Sequence, residues 1–236
     1  MKKYLVILSF LLIGISGQSQ ILITLLLGDK LNQPGLEFGL EGGINWTNIS
    51  EMETNDFARK WNLGFYFDIH LKNQWYLYTG LLVKSNLGVD NLTDKDLDFL
   101  KATTYEAEGD YSQKMNYFLV PALGKYKFKN HIYVEAGPQF GLMYKAWVEF
   151  NSDVDNRDAI IKEYNKDQIN KLDAGIIAGL GYTLFKGTGW TIGAKYYYGL
   201  VDVYKDRPET KNSSFFLKLN IPVGAGKKPE IDNTVG

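Results

Sequence analysis

The sequence contains no cysteine, which excludes disulfide bonds, thiolate nucleophiles and cysteine-based zinc sites. Positive and negative charges are nearly balanced, with 26 Lys and Arg residues and 27 Asp and Glu residues. The sequence therefore gives no indication of a nucleic-acid partner. Long apolar runs are missing beyond the extreme N-terminus, whereas a membrane-spanning helix needs about 20 such residues in succession. The composition therefore argues against a helical membrane protein.

Aromatic residues and glycine are abundant instead, with 16 Tyr, 13 Phe, 5 Trp and 24 Gly in 236 residues. Aromatic side chains fit the pleated surface of a sheet, and glycine relieves crowding inside a narrow barrel. This mixture favours an all-β fold.

The first 20 residues have the pattern of a secretory signal peptide. Lys2 and Lys3 precede an apolar stretch from Tyr4 to Ile15, and small and polar residues follow up to Gln20. An uncleaved anchor helix is the alternative, which the second apolar stretch, Ile21 to Leu27, keeps open. We expect a signal peptide at 1–20, an N-terminal periplasmic segment at 21–35, a barrel at 36–223 and a periplasmic tail at 224–236.

From Leu36 onward, apolar residues recur at every second position, which is the period of a β-strand. The clearest run, from Trp61 to Leu71, is long enough for a tilted strand to cross a bilayer. Pro121 is awkward in mid-strand and indicates a bulge or kink. Eight such runs are present: Leu36–Trp46, Trp61–Leu71, Trp75–Ser85, Lys114–Phe128, Ile132–Tyr144, Leu172–Leu184, Trp190–Leu200 and Ser213–Val223.

The connections between these runs alternate in length. Three are short, at 72–74, 129–131 and 185–189, and the four others, at 48–60, 88–113, 145–171 and 202–212, are longer. Outer-membrane barrels show this alternation, with short periplasmic turns and long external loops. The pattern predicts an eight-stranded antiparallel up-and-down transmembrane β-barrel in the outer membrane, in contact with outer-membrane lipid.

All five tryptophans lie near predicted strand ends, where amphipathic rings mark the interfaces of a membrane. Trp46, Trp61 and Trp147 are predicted to form the external girdle. Trp75 and Trp190 are predicted to form the periplasmic girdle.

Charged residues recur on the inward face of the predicted strands. Burial of a charge is costly unless it is paired, so we expect ion pairs inside the barrel. They form either a structural plug or a narrow path for ions or protons. The predicted lumenal charge network comprises Glu37, Glu41, Asp68, Lys84, Lys125, Glu135, Asp173, Lys195 and Lys218.

Catalytic signals are weak. His70 and His131 are the only histidines, both fall at predicted periplasmic strand ends, and neither has a recognisable Ser or acid partner in the sequence. We expect no enzyme activity, no catalytic residue and no cofactor or metal.

Two of the long loops have distinctive patterns. The loop at 90–110 is acidic, and Asp94, Asp96 and Asp98 alternate as calcium ligands do, but Phe99 stands where an EF-hand needs glycine and Tyr105 where it needs its bidentate Glu. A solvated acidic loop is therefore favoured over ion binding. The loop at 158–170 has partly helical spacing, which predicts a short external helix.

Several segments carry a family resemblance. The chain resembles PorT-type outer-membrane barrel proteins of the Bacteroidota in the segments 25–32, 36–43, 117–126 and 137–141. The resemblance implies an outer-membrane barrel, and some members of that family are linked to protein secretion and gliding. The polar tail at 224–236 departs from the usual aromatic end of such chains.

Three functions are compared with these observations. The first is a non-enzymatic structural or accessory subunit of an envelope complex for secretion or assembly. The second is a surface-binding, adhesin-like barrel that acts through its external loops. The third, a soluble carrier of lipocalin type, requires an apolar lumen and a polar exterior, and the sequence predicts the reverse.

Overall fold

The computed structural model describes residues 35–154, 157–187 and 189–223. The predicted signal peptide, the tail at 224–236 and the segment 21–35 except Gly35 lie outside these residues. The described chain is almost entirely β-structure. Its strands are β1 (Leu36–Ile49), β2 (Ala58–Lys72), β3 (Trp75–Val89), β4 (Asp110–Lys127), β5 (Ile132–Val154), β6 (Arg157–Tyr164), β7 (Leu172–Thr183), β8 (Thr191–Asp202) and β9 (Lys211–Pro222). Its helices are α1 (Asp94–Leu100), α2 (Leu184–Gly187) and a 3-10 turn (Lys166–Gln168).

Eight of the strands form a closed ring in which every pairing is antiparallel. Pairing runs from β1 through β2, β3, β4, β5, β7, β8 and β9, and β9 pairs back onto β1. The prediction of an eight-stranded antiparallel up-and-down barrel is confirmed. We call the end with the short connections the turn end and the opposite end the loop end.

The strand β6 is a ninth strand that lies outside the ring. It pairs with the last residues of β5, from Trp147 to Val154, beyond the point where β7 ends its pairing at Leu142. The predicted helix at 158–170 is therefore wrong over most of its length, and only the 3-10 turn is helical. The long β5 strand offers open backbone groups here, and strand pairing satisfies them where an isolated helix would not.

Two bulges change the direction of side chains within the ring. Val83 has no partner between the pairs Leu63–Lys84 and Gly64–Leu82, and Tyr144 is skipped in the pairing of β4 with β5. Each bulge inverts the alternation of inward and outward residues from that point onward. Pro121 itself keeps its register opposite Gln139, so its pairing with β5 has no bulge at that position.

Glycine makes room for large aromatic rings in the lumen. Tyr133 is fully buried, and its ring lies over Gly181 and Gly193, which follow it across the neighbouring strands β7 and β8. A Cβ atom at Gly193 would collide with the Tyr133 hydroxyl group. The alternation of small and large residues thus fills the barrel instead of leaving a pore.

The loop end is closed by an apolar core built from the long loops. Leu97 and Leu100 of α1 are buried together with Ile169, Val203 and Tyr204 from two other loops. The Phe99 ring packs edge-on against Tyr204, with centroids 5.1 Å apart. These loops form an ordered cap over the barrel.

The outer wall of the barrel is apolar. No helix in the described ranges is long and apolar enough to cross a membrane. Exposed large apolar side chains stand on the outside of most strands: Val120, Val134, Phe140, Leu142, Ile176, Leu180, Ile192, Tyr196, Leu217 and Phe215. An apolar exterior around a charged lumen is the reverse of the arrangement that a soluble carrier needs.

Candidate functional sites in the lumen and at the loop end

The lumen contains a cluster of buried ion pairs toward the turn end. Lys195 Nζ lies 2.8 Å from Glu41 Oε1, and both side chains are at most 1% exposed. Lys218 Nζ lies 2.6 Å from Glu135 Oε1 under the same burial. Strands β1, β5, β8 and β9 supply these four groups because their inward positions meet at one level of the barrel.

A third acid completes this cluster nearer the turn end. Asp68 Oδ2 accepts from Lys125 Nζ at 3.0 Å and lies 2.7 Å from Lys127 Nζ. Lys127 is the more exposed of the two lysines, so the cluster meets solvent on its turn-end side. Three buried acids therefore face three buried lysines, with Lys127 at the mouth.

Aromatic residues connect these pairs. The Tyr78 hydroxyl group donates to Glu41 and accepts from Asn220 Nδ2 at 2.9 Å. Lys218 Nζ lies 4.0 Å from the centroid of the Tyr78 ring, a cation–π distance. The cluster is thus a packed layer in which Tyr78 lies between the Glu41 carboxylate and the Lys218 ammonium group.

Three predicted members of the network lie elsewhere. Glu37 is half-buried and accepts from the Tyr66 hydroxyl group at 2.9 Å, and within the described ranges no lysine lies at ion-pair distance from it. Asp173 is buried but accepts from Asn212 Nδ2 at 3.0 Å, nearer the loop end. Lys84 is exposed on the outer wall, because the bulge at Val83 reverses its direction. Its assignment to the lumen is corrected on that ground.

The structure positions the tryptophans in two different ways. Trp61, Trp75 and Trp190 are 65%, 52% and 43% exposed on the outside, and Trp46 is half-buried beside Phe215. Trp147 is only 8% exposed, because Lys145, Lys162 and Tyr164 lie around its ring. Trp147 is therefore a covered side chain instead of an open girdle residue.

The acidic loop contains a capped helix instead of an ion site. Asp96 is the N3 residue of α1, and Thr93 is its N-cap, so the two form a capping box. The Asp96 carboxylate also accepts from the backbone amides of Glu53, at 2.7 Å, and Thr54, at 3.1 Å. This acid therefore joins two loops and is not free to bind a cation.

The surface next to this cap has a local charge pairing. Glu53 contacts Lys95 and accepts from the Thr93 hydroxyl group at 2.7 Å. The Lys95 ammonium group, followed by the Thr93 hydroxyl group, holds the pKa of Glu53 below its ordinary value. The two loops thus remain charged and paired at neutral pH.

A polar groove lies on the outside of the loop end. It holds about 390 Å³, and its walls carry Asp56, Phe57, Arg59, Lys60, Asp90, Asn91, Asp110, Ser112, Lys114, Glu149 and Asn151. Lys60 Nζ pairs with Asp90 Oδ1 at 2.8 Å, and Lys114 contacts Glu149. Much of its charge is thus satisfied internally.

The strand β6 has one unpaired edge. It is the last strand in the sheet order, and among the described residues only β5 pairs with it. The backbone amide of Asn165, next to β6, donates to the Ala146 carbonyl group at 3.3 Å. Hydrogen bonding alternates along an antiparallel ladder, so the amides of Ile160, Lys162 and Tyr164 point toward the free edge.

Both histidines lie at the turn end of the barrel. His70 lies at the turn end of β2, where its Nε2 is 2.8 Å from the Asn73 carbonyl oxygen, and His131 lies in the turn before β5. Across residues 35–154, 157–187 and 189–223, no three His, Asp or Glu side chains are placed to hold a metal ion.

A comparison with known protein families identifies the family of this chain. Residues 29–205, most of the chain, match the model described as outer membrane protein beta-barrel domain. The short-turn end of such a barrel faces the periplasm, and the long-loop end faces outward. Among curated proteins, none matches this chain.

Several solved structures share the general architecture at low identity. The attachment invasion locus protein Ail of Yersinia pestis, solved with the heparin analogue sucrose octasulfate, is 13% identical with a TM-score of 0.43, and the alignment covers 79% of this chain and 97% of that one. Neisserial surface protein A is 10% identical with a TM-score of 0.41, covering 79% and 96%. The outer membrane protein OprG from Pseudomonas aeruginosa is 10% identical with a TM-score of 0.30, covering 79% and 91%.

Proposed function

Because the chain belongs to the outer membrane protein beta-barrel domain family, and so lies in the outer membrane, we propose that it is a non-enzymatic accessory subunit of an envelope complex. Its working surface is the external extension formed by β4, β5 and β6. We further propose that the complex serves secretion, as the resemblance to PorT-type proteins implies. The observation that carries it is the free edge of β6, which stands outside a barrel whose lumen is occupied by its own side chains.

A filled lumen favours work outside the barrel. The ion pairs of Glu41, Asp68 and Glu135 occupy the periplasmic half, and the apolar loop core covers the external half. A barrel of eight strands has little space beyond that needed by its own side chains. A structural plug is thus favoured over the narrow ion path.

The free edge of β6 supplies a docking surface for another polypeptide. An exposed edge presents unpaired N–H and C=O groups, and an extended peptide segment can add to it as a further strand. Ile160 and Tyr164, which are 60% and 61% exposed, flank Lys162 on one face of this edge. A partner strand with apolar residues around an acidic one would match this face.

The experiment compares two substitutions at one position. Ile160→Pro removes an amide that points to the free edge while it leaves the β5 hydrogen bonds in place, and Ile160→Ala removes only the side chain. We expect a subunit that co-purifies with the native protein in mild detergent to be lost from the proline variant and retained by the alanine variant. Equal retention by both variants, or a lone native monomer, would contradict the proposal.

Surface binding through the loops is the alternative function, and the polar groove is its candidate site. The pairing of Lys60 with Asp90 and of Lys114 with Glu149 leaves few charges there for a ligand. This is why the free edge, and not the groove, carries the proposal. An unchanged complex together with reduced cell adhesion in the proline variant would favour the alternative.

A further inference from the structure

One tryptophan on the outer wall is shared by two lysines. Lys145 Nζ lies 5.3 Å from the centroid of the Trp147 ring and 5.2 Å from that of Tyr164. Lys162 Nζ lies 5.5 Å from the Trp147 ring. Both ammonium groups are thus within cation–π distance of the same indole ring. We call Lys145, Lys162, Trp147 and Tyr164 the wall cluster.

The wall cluster has more positive charge than its neighbours neutralise. Glu149 contacts Lys114, accepts from Trp147 Nε1 at 3.0 Å and lies 3.7 Å from Lys162 Nζ. Within the described ranges, no carboxylate lies at ion-pair distance from Lys145, which is exposed. Lys114 and Lys162 therefore share one carboxylate while Lys145 has none, and the local charge is about +2 by this count.

The position of the wall cluster along the barrel axis indicates which layer of the membrane surrounds it. Directly on its turn-end side, Tyr144 stacks on Phe118 at 4.6 Å, and Leu142 and Phe140 are exposed on the same strand. These residues belong to the apolar wall that faces lipid tails. The cluster stands where that wall ends, at the level of the outer-leaflet headgroups.

Lys84 extends the basic surface along the wall. The bulge at Val83 directs it outward on β3, where its neighbours Leu82 and Ser85 pair with Leu119 and Tyr117 of β4. By strand pairing it lies two strands from Lys145 and level with Phe118 and Leu142, nearer the turn end than Lys145. Lysine stems can lie along apolar surface while their ammonium groups reach the headgroup layer.

We propose that the wall cluster, with Lys84 beside it, binds the phosphorylated headgroup of an outer-leaflet glycolipid. Lysine binds phosphate as a compact point charge, and basic residues at the membrane surface recruit anionic headgroups. The aromatic rings fix the two ammonium groups in advance, which lowers the entropic cost of binding. Lys162 and Tyr164 also stand on the face of β6 that is proposed for a partner strand, but lipid binding to the wall cluster requires no partner.

The test measures lipid binding to the full-length protein in neutral detergent micelles by native mass spectrometry. The probes are diphosphorylated lipid A and its dephosphorylated form. The variant is Lys145→Gln/Lys162→Gln, and the control is Lys205→Gln, which removes one lysine at the same end of the barrel where Lys205 bonds to the Asp167 carbonyl group. A matched gel-mobility assay verifies that all three proteins are folded.

We expect the affinity of the double variant for diphosphorylated lipid A to fall by roughly tenfold or more. The control should bind this lipid as the native protein does. The native protein should also prefer the phosphorylated over the dephosphorylated lipid. Equal binding of the two lipids, or equal loss in the control, would overturn the site. Displacement of lipid A by millimolar inorganic phosphate would also overturn it, because a lipid site needs the membrane-anchored headgroup.

Discussion

Replacement of Lys195 by methionine is expected to destabilise the barrel by about 3–5 kcal/mol, because it leaves Glu41 buried without its cation. The side chains of both residues are at most 1% exposed, so water cannot replace the lost partner. The double variant Glu41→Gln/Lys195→Met removes both charges and should recover most of this loss. Unfolding in urea, with the protein in phospholipid vesicles, measures the effect.

Lys84 supplies the matched control for this experiment. It was expected in the same network from the sequence, but it is exposed on the outer wall. Lys84→Met should therefore change the free energy of unfolding by less than about 0.5 kcal/mol. If Lys195→Met proves as mild as Lys84→Met, the buried network does not have the energetic role assigned to it.

The second large effect is expected in the external cap. Asp96→Ala removes the carboxylate that accepts from the amides of Glu53 and Thr54 and from Thr93 at the start of α1. Hydrogen bonds to a charged acceptor contribute roughly 1.5–3 kcal/mol each, and buried amides are left without partners. We expect α1 to open locally, by on the order of 3 kcal/mol, while the barrel remains folded.

Amide hydrogen exchange of residues 94–101 measures that opening. Asp94→Ala is the control, because Asp94 is an exposed first-turn residue of α1 and does not join the two loops. Faster exchange in both variants to the same extent would show that helix charge, and not the Asp96 contacts, holds the cap. Slow exchange in Asp96→Ala would contradict the account of the cap altogether.

Much of the barrel could be predicted from the sequence because a closed sheet imposes a strict period of two. The run from Trp61 to Leu71 alternates without interruption, and it lies within β2. Lys84 was assigned to the wrong side because a bulge leaves no clear mark in the sequence. Pro121 suggested a bulge by its missing amide, yet the ladder tolerates it in register.

The external region was harder to predict for a different reason. The residues from Ile160 to Tyr164 fit both a short helix and a short strand, and the extension of β5 beyond the ring decides for a strand. The burial of Trp147 could not be predicted for the same reason, because the pairing of β6 with β5 brings Lys162 and Tyr164 around its ring. Long-range pairing determines these positions, and a local pattern cannot reveal it.

The protein is a closed barrel, and we propose that it works from its outer surface. Buried ion pairs occupy the turn-end half of the lumen, and the apolar core of the loops covers the other end. Conductance of the full-length protein in a planar lipid bilayer is the most direct test. We predict no stepwise current above the background of the bilayer. Reproducible single-channel steps that disappear when the protein is omitted would contradict the central claim.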